Sequence, residues 1–141
     1  MLRKLVALDA HRRRLIAHGL GWVVLAKAAL AVPGVSLPRR QRWLDRLARR
    51  LPAPPRCTRD DAAWAVTAAA RRVPNTRCLE WALALRGLFR QAGVAADLRI
   101  GVAAAGSRAI RAHAWLDVAG QTWSWGDTAG YLLLRPGVAG T

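Results

Sequence analysis

Cys78 and His113 are the two side chains whose types and setting offer covalent chemistry. Cys78 stands in Asn75-Thr76-Arg77-Cys78-Leu79-Glu80-Trp81. Pro74 blocks helix extension from upstream, and Asn75 or Thr76 is placed to cap the helix that follows. Leu79, Ala82, Leu83 and Leu88 recur at helical spacing, which predicts an amphipathic helix to about Gln91 with Cys78 in its first turn. Unpaired backbone N–H groups and the positive end of the helix dipole favour a thiolate there, and the thiolate is the nucleophile. His113 lies in Arg111-Ala112-His113-Ala114-Trp115-Leu116-Asp117-Val118, which alternates like a strand. A helix-start Cys with a strand His downstream fits a nucleophile–base pair. On residue types alone, a small buried Cys and an unrelated His is the plainer reading.

The elements that must position this pair follow in chain order. Arg12, Arg13 and Arg14 precede an apolar stretch, Leu15 to Val32, interrupted by His18 and Lys27. It reads as a core helix with Lys27 snorkelling, while its length of about 27 Å and its basic flank also suit a membrane crossing or a signal peptide. Pro33-Gly34 ends it. A second helix opens at Leu37-Pro38, with Trp43, Leu44, Leu47 and Leu51 on one stripe and Arg39, Arg40, Arg42, Arg46, Arg49 and Arg50 on the other faces. Residues 51–56 form a Pro-rich linker carrying toward Cys57, which reads as a small half-buried filler. Thr58 and Asp61 form a capping box for an Ala-rich helix to about Arg72. After the Cys78 helix, Gly93 stops the chain. Strands are expected at Ala95–Val102, Ile110–Val118 and Gln121–Trp125, with Ala119-Gly120 as a two-residue hairpin turn. Residues 101–108 read as a small-residue loop, and Tyr131–Leu134 as a short apolar plug. The fold class is α+β: helices, then an antiparallel meander. The organisation is an N-terminal helical region with its linker (1–56) and a core (57–141), together one compact domain.

Composition narrows the setting. The 141 residues are 53% hydrophobic, which excludes disorder. Lys plus Arg number 23 against 8 acids, a net charge of +15, so the surface attracts something negative. Two cysteines make no disulfide framework, and no Cys/His spacing suggests a metal, so a cytoplasmic protein without cofactor is expected.

Cys78-Leu79-x-x-Ala82-Leu83-Ala84-Leu85, Gly93-Val94, Leu98-Arg99-Ile100-Gly101-Val102 and Ala112-His113-Ala114-Trp115 together resemble the B2 proteins of lasso-peptide biosynthesis. These are leader peptidases with a transglutaminase-like, papain-related fold, akin to the C-terminal domain of the microcin-processing protein. The resemblance covers residues 76–127 well and the Arg-rich helical region before them more loosely. It implies a cysteine protease that removes the leader from a ribosomally made precursor, with Cys78 as nucleophile, His113 as base and an acid orienting the imidazole. The family commonly has an acid about twelve residues after the His, where this chain has Trp125; Asp127 lies two further on. With a two-residue turn at 119–120, residue 113 pairs with about 126 and Asp127 comes within reach. Asp117 is about 13 Å away along the same strand, so Asp127 is the expected third member and Asp117 the alternative. An Asx turn is the plainer role for Asp127. Arg111, Trp115 and Trp123 are candidates for the substrate cleft, though strand aromatics more often serve the core.

Fused family members carry a leader-recognition domain, and residues 1–74 show no alternating strands to build one. The resemblance therefore implies dependence on a separate leader-binding B1 protein, with the lasso cyclase acting next. Two other classes stand beside this reading: a non-enzymatic basic module binding RNA or an anionic membrane, and a transglutaminase-like acyltransferase. Under the peptidase reading nucleic acid is no partner, and residues 15–32 keep membrane-surface association open.

Overall fold

The first helix among the described residues, α1 (Ala10–Ala31), starts where the Asp9 carboxylate accepts the Arg12 N–H at 2.8 Å. That cap sets the start five residues before the apolar run. The structure, a computed structural model, describes residues 9–104, 110–125 and 132–133. Helix α2 (Leu37–Arg50) has Pro38 in its first turn, and α3 (Arg59–Ala70) opens on the expected capping box. There the Asp61 N–H donates to Thr58 Oγ1 at 3.0 Å, and the Thr58 N–H to the Asp61 carboxylate at 3.4 Å.

Helix α4 (Cys78–Gln91) is the hub on which the other elements pack. At about 100° per residue its side chains divide into four stripes. Gly87 and Gln91 face α1: a Cβ at Gly87 would collide with the Trp22 ring, whose Nε1 donates to Gln91 Oε1 at 2.9 Å. Arg86 faces α2 and reaches Asp45 through two nitrogens, at 2.6 and 3.3 Å. Trp81 faces α3, donating from Nε1 to Thr67 Oγ1 at 3.0 Å. The fourth stripe faces the sheet. Gly19 lets α1 approach α3 closely, since a Cβ there would lie 3.0 Å from the Ala65 carbonyl oxygen.

The sheet has the order β3-β2-β1-β4, with β1 (Asp97–Ala104), β2 (Ile110–Val118), β3 (Gln121–Trp123) and β4 (Leu132–Leu133), all antiparallel to their neighbours. The β2–β3 turn is the two-residue one expected, with Ala119 (φ 49°) and Gly120 (φ 83°) both left-handed, as a hairpin of matching twist requires. Three strand boundaries differ from expectation, the first being that β1 begins at Asp97 and not at Ala95. β1 runs on to Ala104, because β2 supplies ladder partners as far as Ile110, and β3 ends at Trp123 instead of Trp125. Leu132 and Leu133, read as an apolar plug, pair instead with Val102 and Gly101, satisfying the outer edge of β1. Helices on one side of a small antiparallel sheet make the α+β arrangement expected.

By length and composition α1 is apolar enough to cross a membrane, yet 39% of its most apolar window is buried. Leu15, Ile16, Trp22, Val23 and Ala26 are among its buried residues, while Val24 and Val32 are exposed.

Candidate active site

Cys78, Ala82, Leu85 and Phe89 occupy the sheet-facing stripe of α4. Phe89 shows its direction by meeting Trp123 of β3 edge-on, with ring centroids 5.6 Å apart and planes at 76°. The chain reverses between α4 and β1 and again between β1 and β2, so α4 and β2 run the same way. From Phe89 back to Cys78 is about 16 Å of helix. From Leu116, the register partner of Trp123, about five strand residues cover the same distance and reach Arg111. Cys78 and His113 thus lie at the same end of the helix–sheet layer.

The start of α4 is built differently from expectation. Neither Asn75 nor Thr76 caps it: Asn75 takes a left-handed φ of 61°, and Thr76 Oγ1 donates back to the Val73 carbonyl at 2.9 Å. Arg77 is the residue at the cap, and Glu80 reaches back to accept its N–H. Lys27 of α1 closes the arrangement, donating to the Asn75 carbonyl at 2.9 Å and lying 3.6 Å from Glu80. The lysine read as snorkelling therefore ties α1 to the turn that carries Cys78.

His113 is the buried polar side chain of the sheet, 8% exposed. Its Nε2 is 2.8 Å from Ser124 Oγ, and its ring stacks on Trp115 at 5.9 Å between centroids and 28° between planes. Alternate β2 residues Ala114, Leu116 and Val118 join the core around α4, so strand alternation puts His113 and Trp115 on the other face. Ala112 and Ala114 flank His113 in the chain, and Gly101 is its register partner on β1.

The transglutaminase-like superfamily matches residues 22–134. The chain belongs to that superfamily. No curated protein and no solved structure gives a significant match. The superfamily has a cysteine-protease and acyltransferase type of fold, and its members are typically cysteine-dependent enzymes.

Within this transglutaminase-like core the remaining site residues separate. Trp115 lies beside His113, and Arg111 is exposed at the start of the same strand. Trp123 turns toward Phe89 in the core. Asp117 accepts from Arg99 Nε at 3.2 Å and from Thr122 Oγ1 at 3.2 Å. Asp127 lies outside the described residues. At Cys57 burial, and then the Asp61 carboxylate, push the thiol up from its ordinary value, which disfavours the thiolate there. Among the described residues no three His, Cys, Asp or Glu side chains gather as a metal site. Ser124 is the site residue that sequence reasoning passed over, because only the hairpin register carries its hydroxyl to the imidazole.

Proposed function

We propose that the chain is a cysteine protease that removes the leader from a ribosomally made lasso-peptide precursor. The supporting observation is a cysteine in the first turn of the hub helix and a buried histidine on the strand that this helix packs against, in a superfamily of cysteine-dependent enzymes. The Cys78 thiolate attacks the carbonyl of the last leader residue, and His113 gives a proton to the departing amine of the core peptide. Water, deprotonated by His113, then releases the leader from sulfur as a carboxylic acid. Asp127 is the carboxylate assigned to stabilise the imidazolium. The reading requires the imidazole to meet the thiol around the strand position bordered by Ala112 and Ala114. A separate leader-binding B1 protein presents the substrate in the cytoplasm, and the lasso cyclase takes the freed amine.

Acyl transfer is the second reading, favoured by the superfamily's mixed chemistry: the same thioester is resolved by an amine instead of water. Incubating a leader–core peptide with the protein and its leader-binding partner, and weighing the products, separates the two. Hydrolysis gives a free leader acid; an amine adduct on the leader establishes acyl transfer. Cys78→Ala is expected to lower cleavage by at least about 10³-fold, and Cys57→Ser to leave it unchanged. Near wild-type cleavage by Cys78→Ala, with unchanged circular dichroism, ends the cysteine-protease reading.

A further inference from the structure

We propose that the solvent-facing side of α1, with the groove beside it, docks in the plane of an anionic membrane surface. A surface helix ordinarily turns a polar side to water, and from Leu15 onward α1 has none. At about 100° per residue, Ala17, Gly21, Val24, Ala28 and Ala31 fall on one exposed stripe about 21 Å long. Leu20 and Leu25 are half-buried along its edges. Lys27, the charged residue of that span, is turned away to Asn75 and Glu80.

Beside the stripe lies an open groove of about 260 Å³, lined by Ala17, Gly21 and Leu25 of α1 and by Leu51 and Pro52. His18 and Gln91 are its polar lining, and Gln91 is committed to the Trp22 ring N–H and to the Leu51 and Pro52 carbonyls. Among the described residues four large hydrophobic side chains are exposed, and Val24, Val32 and Leu51 belong to this helix or to the groove. The fourth, Trp64, has the Arg12 guanidinium over its ring. Apolar exposure is thus concentrated on one face, which marks an interaction surface.

The charge around that face selects the partner. Arg13 and Arg14 are exposed at the N-terminal end of the stripe. Arg40 donates to the Val32 carbonyl at 2.6 Å, so α2 begins beside the other end of α1. It closes with exposed Arg49 and Arg50, just before Leu51 of the groove. Residues 9–56 hold eleven Lys and Arg against Asp9 and Asp45; the first caps α1 and the second is taken by Arg86. Apolar side chains flanked by cations fit acyl chains beneath anionic headgroups. A second copy would bring two arginine sets together, and RNA would leave the apolar stripe in water. Trp22 and Gly19 hold the opposite side of α1 against α4 and α3, so the helix lies along the surface and does not cross it.

Flotation of the full chain with lipid vesicles tests this. Equimolar phosphatidylcholine and phosphatidylglycerol is expected to bind it at least about tenfold more tightly than phosphatidylcholine alone, the difference shrinking as salt rises. Val24→Asp and Gly21→Asp are each expected to weaken binding at least about tenfold with unchanged circular dichroism. Both sites admit the change: Val24 is 56% exposed, and a Cβ on Gly21 meets nothing within 4 Å. Arg13→Glu combined with Arg14→Glu removes the preference for the anionic lipid. No binding to the mixed vesicles overturns the proposal, as does equal binding to both kinds or binding that Val24→Asp and Gly21→Asp leave unaltered. A chain that ignores vesicles but sediments as a dimer, and as a monomer in Val24→Asp, gives the face to a second copy. The proposal does not rest on the peptidase reading, and no cleavage is measured, so either stands if the other fails.

Discussion

Asp117 and Asp127 put the residue-scale question most sharply, because both are carboxylates within reach of the same sequence argument. Asp117 is committed elsewhere, bridging Arg99 and Thr122 across the sheet. Asp117→Asn should therefore leave turnover nearly unchanged and cost less than about 1 kcal/mol of stability, the worth of a partly exposed ion pair. Asp127→Asn keeps a hydrogen-bonding group but loses the charge that stabilises the imidazolium, so turnover should fall by about 10²- to 10⁴-fold. Rates of the two variants on one peptide decide it; a larger loss in Asp117→Asn would give the role to Asp117 and overturn the assignment of Asp127. The placing of Cys78 at a helix start and of His113 on a strand was legible in the sequence because both are local patterns. Ser124 and Lys27 were not. A serine hydroxyl and a lysine are common, and only register and helix packing bring them to the imidazole and to the Cys78 turn.

At the scale of elements, Gly87 tests whether packing or propensity governs α4. Helix propensity alone favours Gly87→Ala by about 1 kcal/mol. The new methyl, however, would enter the Trp22 ring, and that ring is pinned by its bond to Gln91. Overpacking of this kind typically costs about 1–3 kcal/mol, so net destabilisation is expected in chemical denaturation. A stabilised variant would show that α1 yields easily to α4. The capping box of α3, the Gln91 end of α4 and the two-residue hairpin were all readable, since each rests on residues close in sequence. The Glu80 cap was misread because Asn75 and Thr76 are better capping types; Lys27 holds the Asn75 carbonyl from another helix, and Thr76 turns back to Val73.

At the scale of the whole molecule, the net charge of +15 and the expected need for a separate leader-binding protein belong together. A basic surface draws in an acidic partner or peptide at long range. The purified chain alone is expected to cleave the leader–core peptide slowly, and the partner to raise the rate by at least about tenfold by bringing leader and thiol onto one assembly. Full activity without it would place leader recognition within this chain. Initial rates with and without the partner, at one salt concentration, make the comparison.

By itself the sequence determined the described helices, the first three strands, the α+β order, and the placing of Cys78 at a helix start and His113 on a strand. Apolar spacing, capping pairs and turn residues act over a few neighbours, and the linear chain displays them. Only the tertiary structure decided that α4 is the hub, that Lys27 holds its first turn, that Leu132 and Leu133 complete the sheet and that Ser124 meets His113. Those contacts join residues from 11 positions apart, Ser124 with His113, to 69 apart, Trp22 with Gln91. They exist because burying α4 on four sides leaves each backbone and ring nitrogen to find its partner in whichever element packing has brought alongside.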